Sequence, residues 1–362
     1  MFENLTAFTD SFLQMGTPGS DLMIWQDGQC ILRHLAGVSD WERQIPMTGT
    51  ERYNIYSCSK AITVTAALQL WEKGLYSLED RLCDYLPEFA EMQVRTPEGL
   101  KRAEQPILIG QLFDMTAGFS YDVDSPQLVL ARQETGGACP TRETMRYLAK
   151  EPLLFEPGTR WYYSLCHDVL AALVEVWSGE RFSDYVQAHI FRPLAMDRTT
   201  FRLPEDQVET LAAQYLFDDD GKRVNCGKEI YRYKLGWDYE SGGAGCVSCA
   251  DDYIKFLEAL RVGDVVLGKD TVAWMSTDRV MCRIGDSPEL RGQGYGLGFR
   301  CRHAGSPAWN TEFGWGGAAG AYYAVDIPRN MTIFYVQQVL NSPMHDLRNQ
   351  IYRYAVEDLA RG

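Results

Sequence analysis

The segments with the strongest β character lie at opposite ends of the chain, and the sequence between them is mostly helical. Near the N-terminus, "DLMIWQDGQCILRHLAG" sets two apolar runs on either side of Gln26-Asp27-Gly28-Gln29. Asp-Gly between such runs favours a tight turn, so a β-hairpin is predicted. Near the C-terminus, "GYGLGFRCR", "GAYYAVDI" and "MTIFYVQQV" read as three strands, with "DIPRN" (326–330) as a turn. Each end also carries an amphipathic helix. Phe2, Leu5, Phe8, Phe12 and Leu13 share one face of the first, and "MHDLRNQIYRYAVEDLA" forms the last. In between, helical patterns occupy 58–73, 142–149, 166–178, 181–190, 249–261 and 269–276, separated by turns such as "FEPGTRW" and "ESGGAG". The economical arrangement is a mixed α/β (α+β) single domain over 1–362. Its α/β part comprises 1–60 and 291–362, with one sheet built from both ends, and a mainly helical lobe is inserted at 61–290. A site is expected at the junction, where clefts form.

Composition narrows the function. With 362 residues, 46% of them hydrophobic, the chain can bury a large core. Its 35 basic and 49 acidic side chains give a formal charge of −14, which repels nucleic acid and anionic membrane surfaces. The opening "MFENLTAFTDSFLQMG" has acids among its apolar residues and no basic segment before an apolar core, so no secretory signal is expected. No apolar run approaches the roughly 20 residues of a membrane helix. The ten cysteines are scattered, which suggests thiols buried in a cytoplasmic protein rather than disulfides. "CVSC" (246–249) lacks a second Cys/His pair at zinc spacing, so no metal site is expected there.

The chemistry centres on "NIYSCSKAITVTAALQLWEKG" (54–74). Ser57 and Lys60 stand three residues apart at the start of a mostly apolar helix, and positions i and i+3 share a face. A serine hydroxyl needs a base, and a lysine desolvated at a positive helix end loses basicity and can become one. Ser57 also presents its own backbone N–H at the helix start, where an anion is favoured. No serine satisfies G-x-S-x-G, which argues against an α/β-hydrolase elbow. Cys58, next to the serine, is expected to pack in the core.

Further segments follow in a recognisable order. "NIYSCSKAITVTAALQLWEKGLYSLEDRLCDYLPEF" (54–89), "IGQLFDMTAGFSYD" (109–122), "FEPGTRWYYSLCHDVLAALVE" (155–175), "ESGGAGCVSCADDYIKFLEAL" and "FGWGGAAGAYYAVDIPRN" (313–330) together resemble the serine β-lactamase and penicillin-binding-protein superfamily. The resemblance is nearest to class C β-lactamases and family VIII carboxylesterases, and it spans nearly the whole chain. It implies a β-lactamase/DD-peptidase-like fold with a five-stranded antiparallel sheet flanked by terminal helices. By position it implies Tyr163 as the base working with Lys60, its phenol depressed by the lysine charge. It also implies the N–H of Ala318 as the second oxyanion donor beside that of Ser57. Gly316 and Gly317 would let substrate approach the strand closely. No metal or organic cofactor is required.

Two departures bear on substrate. Leu165 occupies the asparagine position of the Y-x-N motif, where the family binds an acyl-amide side chain, and leucine offers neither donor nor acceptor. Trp315 replaces the lysine of Lys-Thr-Gly, so a carboxylate-binding cation gives way to an apolar wall, as in family VIII esterases. Tyr121, in "FSYD", is a candidate substrate contact, while His167 and Asp168 are expected to face away on their helix. The resulting expectation is a carboxylesterase acting through an acyl-enzyme on Ser57, with a small-molecule ester or amide as partner. The alternatives are a β-lactam or D-amino-acid peptide hydrolase, an acyltransferase, or a non-catalytic binding module. Oligomeric state stays open.

Overall fold

The computed structural model describes residues 1–228 and 235–361. Asp27 and Gly28 both adopt positive φ (51° and 77°), the twist-matched turn that Asp-Gly favours. They join β1 (Gly19–Gln26) to β2 (Gln29–Asp40). β2 continues to the short β3 (Ile45–Pro46). From the other end of the chain come β4 (Gly294–Tyr295), β5 (Arg300–Cys301), β6 (Phe313–Gly316), β7 (Tyr322–Asp326) and β8 (Met331–Val336). The spatial order is β4-β5-β6-β7-β8-β1-β2-β3, antiparallel throughout. The seam between the two ends is β1 against β8, from Asp21 opposite Val336 to Gln26 opposite Met331.

Both faces of this sheet are covered, so its inner strands read as continuous apolar runs although their side chains alternate. Leu22, Ile24, Tyr322, Ile333 and Tyr335 pack towards the terminal helices α1 (Glu3–Gln14) and α5 (Ile351–Leu359). Met23, Tyr323, Val325, Phe334 and Val336 face the larger core. There α2 (Ser59–Glu72) is buried on nearly every side and packs against α3 (Cys166–Ser178). α4 (Ala250–Val262) lies on the sheet against β1, β7 and β8. Asp358 of α5 closes the outer layer, accepting the Leu5 N–H at 2.9 Å.

The sheet has eight strands rather than five, because two-residue strands extend both edges. "GYGLGFRCR" is not one strand. It folds back as β4 and β5, with Gly296 N–H bonded to Phe299 O at 2.9 Å and Gly298 at φ 85°. Gly296 is pressed on the Met275 carbonyl, where a Cβ would come within 2.2 Å. Glycine here serves a turn and a close backbone contact. The middle segment also holds two strand pairs outside the main sheet, Gln93–Thr96 with Gly99–Arg102 and Gln214–Phe217 with Arg223–Gly227. The helix predicted at 181–190 ends in a π turn, Gln187–Phe191. No described helix is long and apolar enough to cross a membrane.

Candidate active site

Chain direction at the start of α2 is set by a strained residue. Tyr56 has φ 47°, a conformation that costs a bulky side chain about 1–3 kcal/mol and persists only when neighbours enforce it. Its ring is fully buried and its hydroxyl bonds Gln214 Oε1 at 2.6 Å. This turn delivers Ser57 to the floor of a cavity of about 440 Å³ bordered by Tyr121, Tyr163, Trp315 and Ala318. Cys58 points into the core, where burial raises its thiol to about 12.

Lys60 is wholly buried one turn along. Its Nζ donates to Gly243 O at 2.7 Å, and to Ser57 Oγ and the Tyr121 hydroxyl at 3.3 Å each. Burial pulls the amine down to about 7, against the raising effect of the Asp168 charge. Desolvation, rather than the helix end, is thus the main cause of the lysine's weak basicity. Asp168 does not face away. It is buried on α3 and accepts the Tyr239 hydroxyl at 2.7 Å and the Ser241 hydroxyl at 2.6 Å, so it anchors the loop that brings Gly243 to the lysine. Burial pushes the Asp168 carboxyl up, while these hydroxyls and Lys60 draw it back. His167 beside it is held near 3 by burial and is uncharged at neutral pH.

Tyr163 is stacked between Tyr121, at 5.2 Å between ring centroids, and Trp315, at 5.4 Å. Lys60 Nζ sits 4.5 Å from the centroid of its ring. The expected depression of the phenol does not occur. Burial raises it well above the ordinary tyrosine value, and hydrogen bonds from Ser57 and Trp315 offset this only in part. The amine meets the ring face rather than the oxygen, which leaves its charge poorly placed to stabilise a phenolate. Trp315 Nε1, a donor only, gives its proton to the Tyr163 oxygen at 3.3 Å, so the tyrosine's own proton is directed elsewhere.

Gly316 and Gly317 both line the cavity beside Ser57. A Cβ on Gly317 would meet Ile55 O at 2.4 Å, and one on Gly316 would meet Arg348 Nη2 at 2.8 Å. On the side where a Cβ would stand, the room is filled by protein groups. Leu165 is not a wall of the cavity. It is 4% exposed, caps the start of α3 and packs in the main core, with its N–H on Ser120 O at 3.1 Å. Sequence reasoning missed Trp161 and the three cavity arginines, Arg291, Arg300 and Arg348. The arginines lie outside the segments that carry the resemblance, and Trp161, inside "FEPGTRW", reads there only as part of a turn.

The Ser57–Lys60 pair, the stacked tyrosines and the Trp-Gly-Gly strand share their fold with known proteins. The Beta-lactamase family profile matches residues 4–357. "Esterase EstB" of Burkholderia gladioli is 29% identical over 338 residues, 85% of this chain and 82% of that protein. "Lovastatin esterase" of Penicillium rubens is 28% identical over 342 residues, 82% of this chain and 84% of that protein. Among solved structures, "EstCE1, a hydrolase with promiscuous acyltransferase activity" superposes with a TM-score of 0.80 at 26% identity, covering 98% of both chains. With its sheet, its helices and nearly its full length matched, the chain is a member of the Beta-lactamase family.

Proposed function

We propose that the protein is a serine esterase that cleaves esters of small carboxylic acids through an acyl-enzyme on Ser57. The observation that carries this is the buried Lys60 amine, 3.3 Å from Ser57 Oγ and lowered to about 7. At neutral pH a large share of such an amine is free base and able to take the serine proton. Ser57 Oγ then attacks the ester carbonyl, whose oxygen becomes an anion held by the N–H groups of Ser57 and Ala318. Tyr163, kept protonated by burial, donates to the departing alcohol oxygen, and its proton is replaced from Lys60 by way of a water. Water, deprotonated by the same pair, releases the acid and restores Ser57. Lysine thus acts as the basic partner and tyrosine as the acidic one, a division that follows from burial acting oppositely on a cation and a phenol.

Three things support an ester over a lactam or peptide: Trp315 in place of a carboxylate-binding cation, aromatic walls around the serine, and the similarity to esterase EstB and lovastatin esterase. Ten free cysteines fit a reducing cytoplasm. The test is fluorophosphonate labelling located by mass spectrometry, with turnover of nitrophenyl esters, a chromogenic cephalosporin and D-amino-acid amides. Labelling of Ser57, ester turnover and its loss by at least about 10³-fold in Ser57→Ala are expected. Undiminished turnover in that variant sinks the proposal, and efficient cephalosporin or amide cleavage moves the substrate class. Since EstCE1 is a hydrolase with promiscuous acyltransferase activity, product analysis with added alcohols separates transfer from hydrolysis here.

A further inference from the structure

The peptide joining Gly317 to Ala318 carries the N–H assigned above to the oxyanion, and its carbonyl end is gripped from two sides. Gly317 O accepts Gly320 N–H at 3.0 Å and also accepts Arg348 Nη1. Arg348 belongs to the tight turn Leu347–Gln350 that leads into α5 and is 7% exposed. Its guanidinium lies against the backbone of β6 in the space a side chain at 316 would need. Arg348 Nη2 meets His345 Nε2 at 2.9 Å.

The other cavity arginines are neutralised by carboxylates, Arg291 by Asp346 at 2.7 Å and Arg300 by Glu312 at 2.6 Å. Arg348 instead spends its donors on a carbonyl and an imidazole. Burial and the neighbouring arginine hold His345 near 4, so at neutral pH the ring is uncharged and its Nε2 accepts. Burial brings Arg348 down to about 10, which leaves it charged.

A trans peptide is planar, so fixing its C=O fixes its N–H on the opposite side. A cation bonded to the oxygen also draws electron density from the nitrogen end, and such charge-assisted bonds are roughly twice as strong as neutral ones. We propose that Arg348 is a positioning residue for the oxyanion hole: by binding Gly317 O it aims and polarises the Gly317–Ala318 peptide, strengthening Ala318 N–H as the donor to the attacked ester. His345 holds the guanidinium in place. This rests on the assignment of Ser57 and Ala318 under the proposed function, and it gives the third glycine-rich motif a partner more than thirty residues away.

The test uses the full chain and an uncharged nitrophenyl ester, so that any attraction of Arg348 for a charged substrate drops out. Arg348→Met is expected to lower kcat about 10- to 100-fold, short of the roughly 10²–10³-fold cost of deleting an oxyanion donor outright. KM should stay within about three-fold, because the interaction matters most when charge develops. Affinity for a neutral alkylboronic acid, which forms an anionic tetrahedral adduct on Ser57, should fall in parallel. Arg348→Lys, which keeps the charge and one bond, should recover part of both losses. Unchanged kcat and boronate affinity overturn the proposal, as does a rise in KM alone, which would make Arg348 a substrate anchor. If Arg348→Met does not fold, the lysine variant decides by the same readouts: a matched several-fold loss supports the proposal and wild-type values overturn it. Full activity in Ser57→Ala would instead remove the nucleophile assignment, whatever Arg348 does.

Discussion

Lys60 carries the most consequential electrostatics in the chain. In the proposed mechanism catalysis needs its free base, so kcat/KM on a neutral ester should climb through an inflection near 7 and level off above it. The Asp168 carboxylate holds that value up; Asp168→Asn removes the charge while its side-chain oxygen can still accept from Tyr239 and Ser241. The inflection should therefore move to lower pH, and a pH–rate profile that stays in place or moves up would contradict the assignment. Ser57 and Lys60 were legible because a helix places i and i+3 together by geometry alone. Tyr163 and Trp315 needed the flanking motifs, since "RWYYS" by itself reads as core. Asp168 and Arg348 were not legible. Asp168 matters because a loop some seventy residues away folds over it, and Arg348 because the chain returns beneath β6. The direction of the Tyr163 shift also escaped the sequence, because it depends on how deeply the phenol is buried and on which part of the ring the amine meets.

β6 and the loop after it show how backbone contacts set tolerance. At Gly317 the obstacle to a side chain is Ile55 O, a backbone atom two residues before the nucleophile. At Gly316 the contacts are less severe, Arg348 Nη2 at 2.8 Å and the Ala321 carbonyl oxygen at 2.9 Å, against 2.4 Å at Gly317. Gly317→Ala should therefore cost more stability, about 2–3 kcal/mol on the scale of core overpacking, and more activity, since relief means shifting the Ser57 turn. Gly316→Ala should cost less stability, with its main effect on kcat through Arg348. Urea midpoints and kcat for the two variants check the order. Many of the longer elements were readable from periodicity and turn chemistry: Asp27-Gly28 marked its hairpin, and the 166–178 pattern coincides with α3, although the helix Pro126–Thr135 was not read. "GYGLGF" misled because Gly296 and Gly298 in an apolar run look like a weak strand, whereas here they make a turn, with Gly296 pressed on Met275 O. The strand pair at 93–102 has too few apolar residues to announce itself, because most of its side chains face solvent.

Burying one amine at the centre of the fold makes stability depend on pH. Unfolded, Lys60 titrates near 10.4, and folded near 7. Between these values the unfolded chain binds more protons, so this group's contribution to stability rises with pH from about 7 to about 10, by at most about 1.4 kcal/mol per pH unit. Below 7 both states are protonated and its penalty is complete. Lys60→Met should abolish activity and flatten that part of the curve. The difference between wild-type and variant unfolding free energies at pH 6 and pH 9 isolates it from other groups, and equal differences at the two pH values would contradict the folded-state shift. We further propose that 1–60 with 291–362 and the inserted 61–290 behave as two lobes, meeting where Ser57 enters α2. The seam of the sheet, β1 on β8, has a consequence for synthesis. β1 emerges from the ribosome roughly 300 residues before its partner. At about 5–20 residues per second, the apolar N-terminal hairpin waits on the order of 15–60 s with one edge unpaired. The nascent chain therefore passes through a long interval in which it lacks the proposed oxyanion groups, Ala318 and Arg348, and is prone to sticking. Slowing or speeding translation after residue 40 should change the yield of folded protein more than the same change placed near the C-terminus.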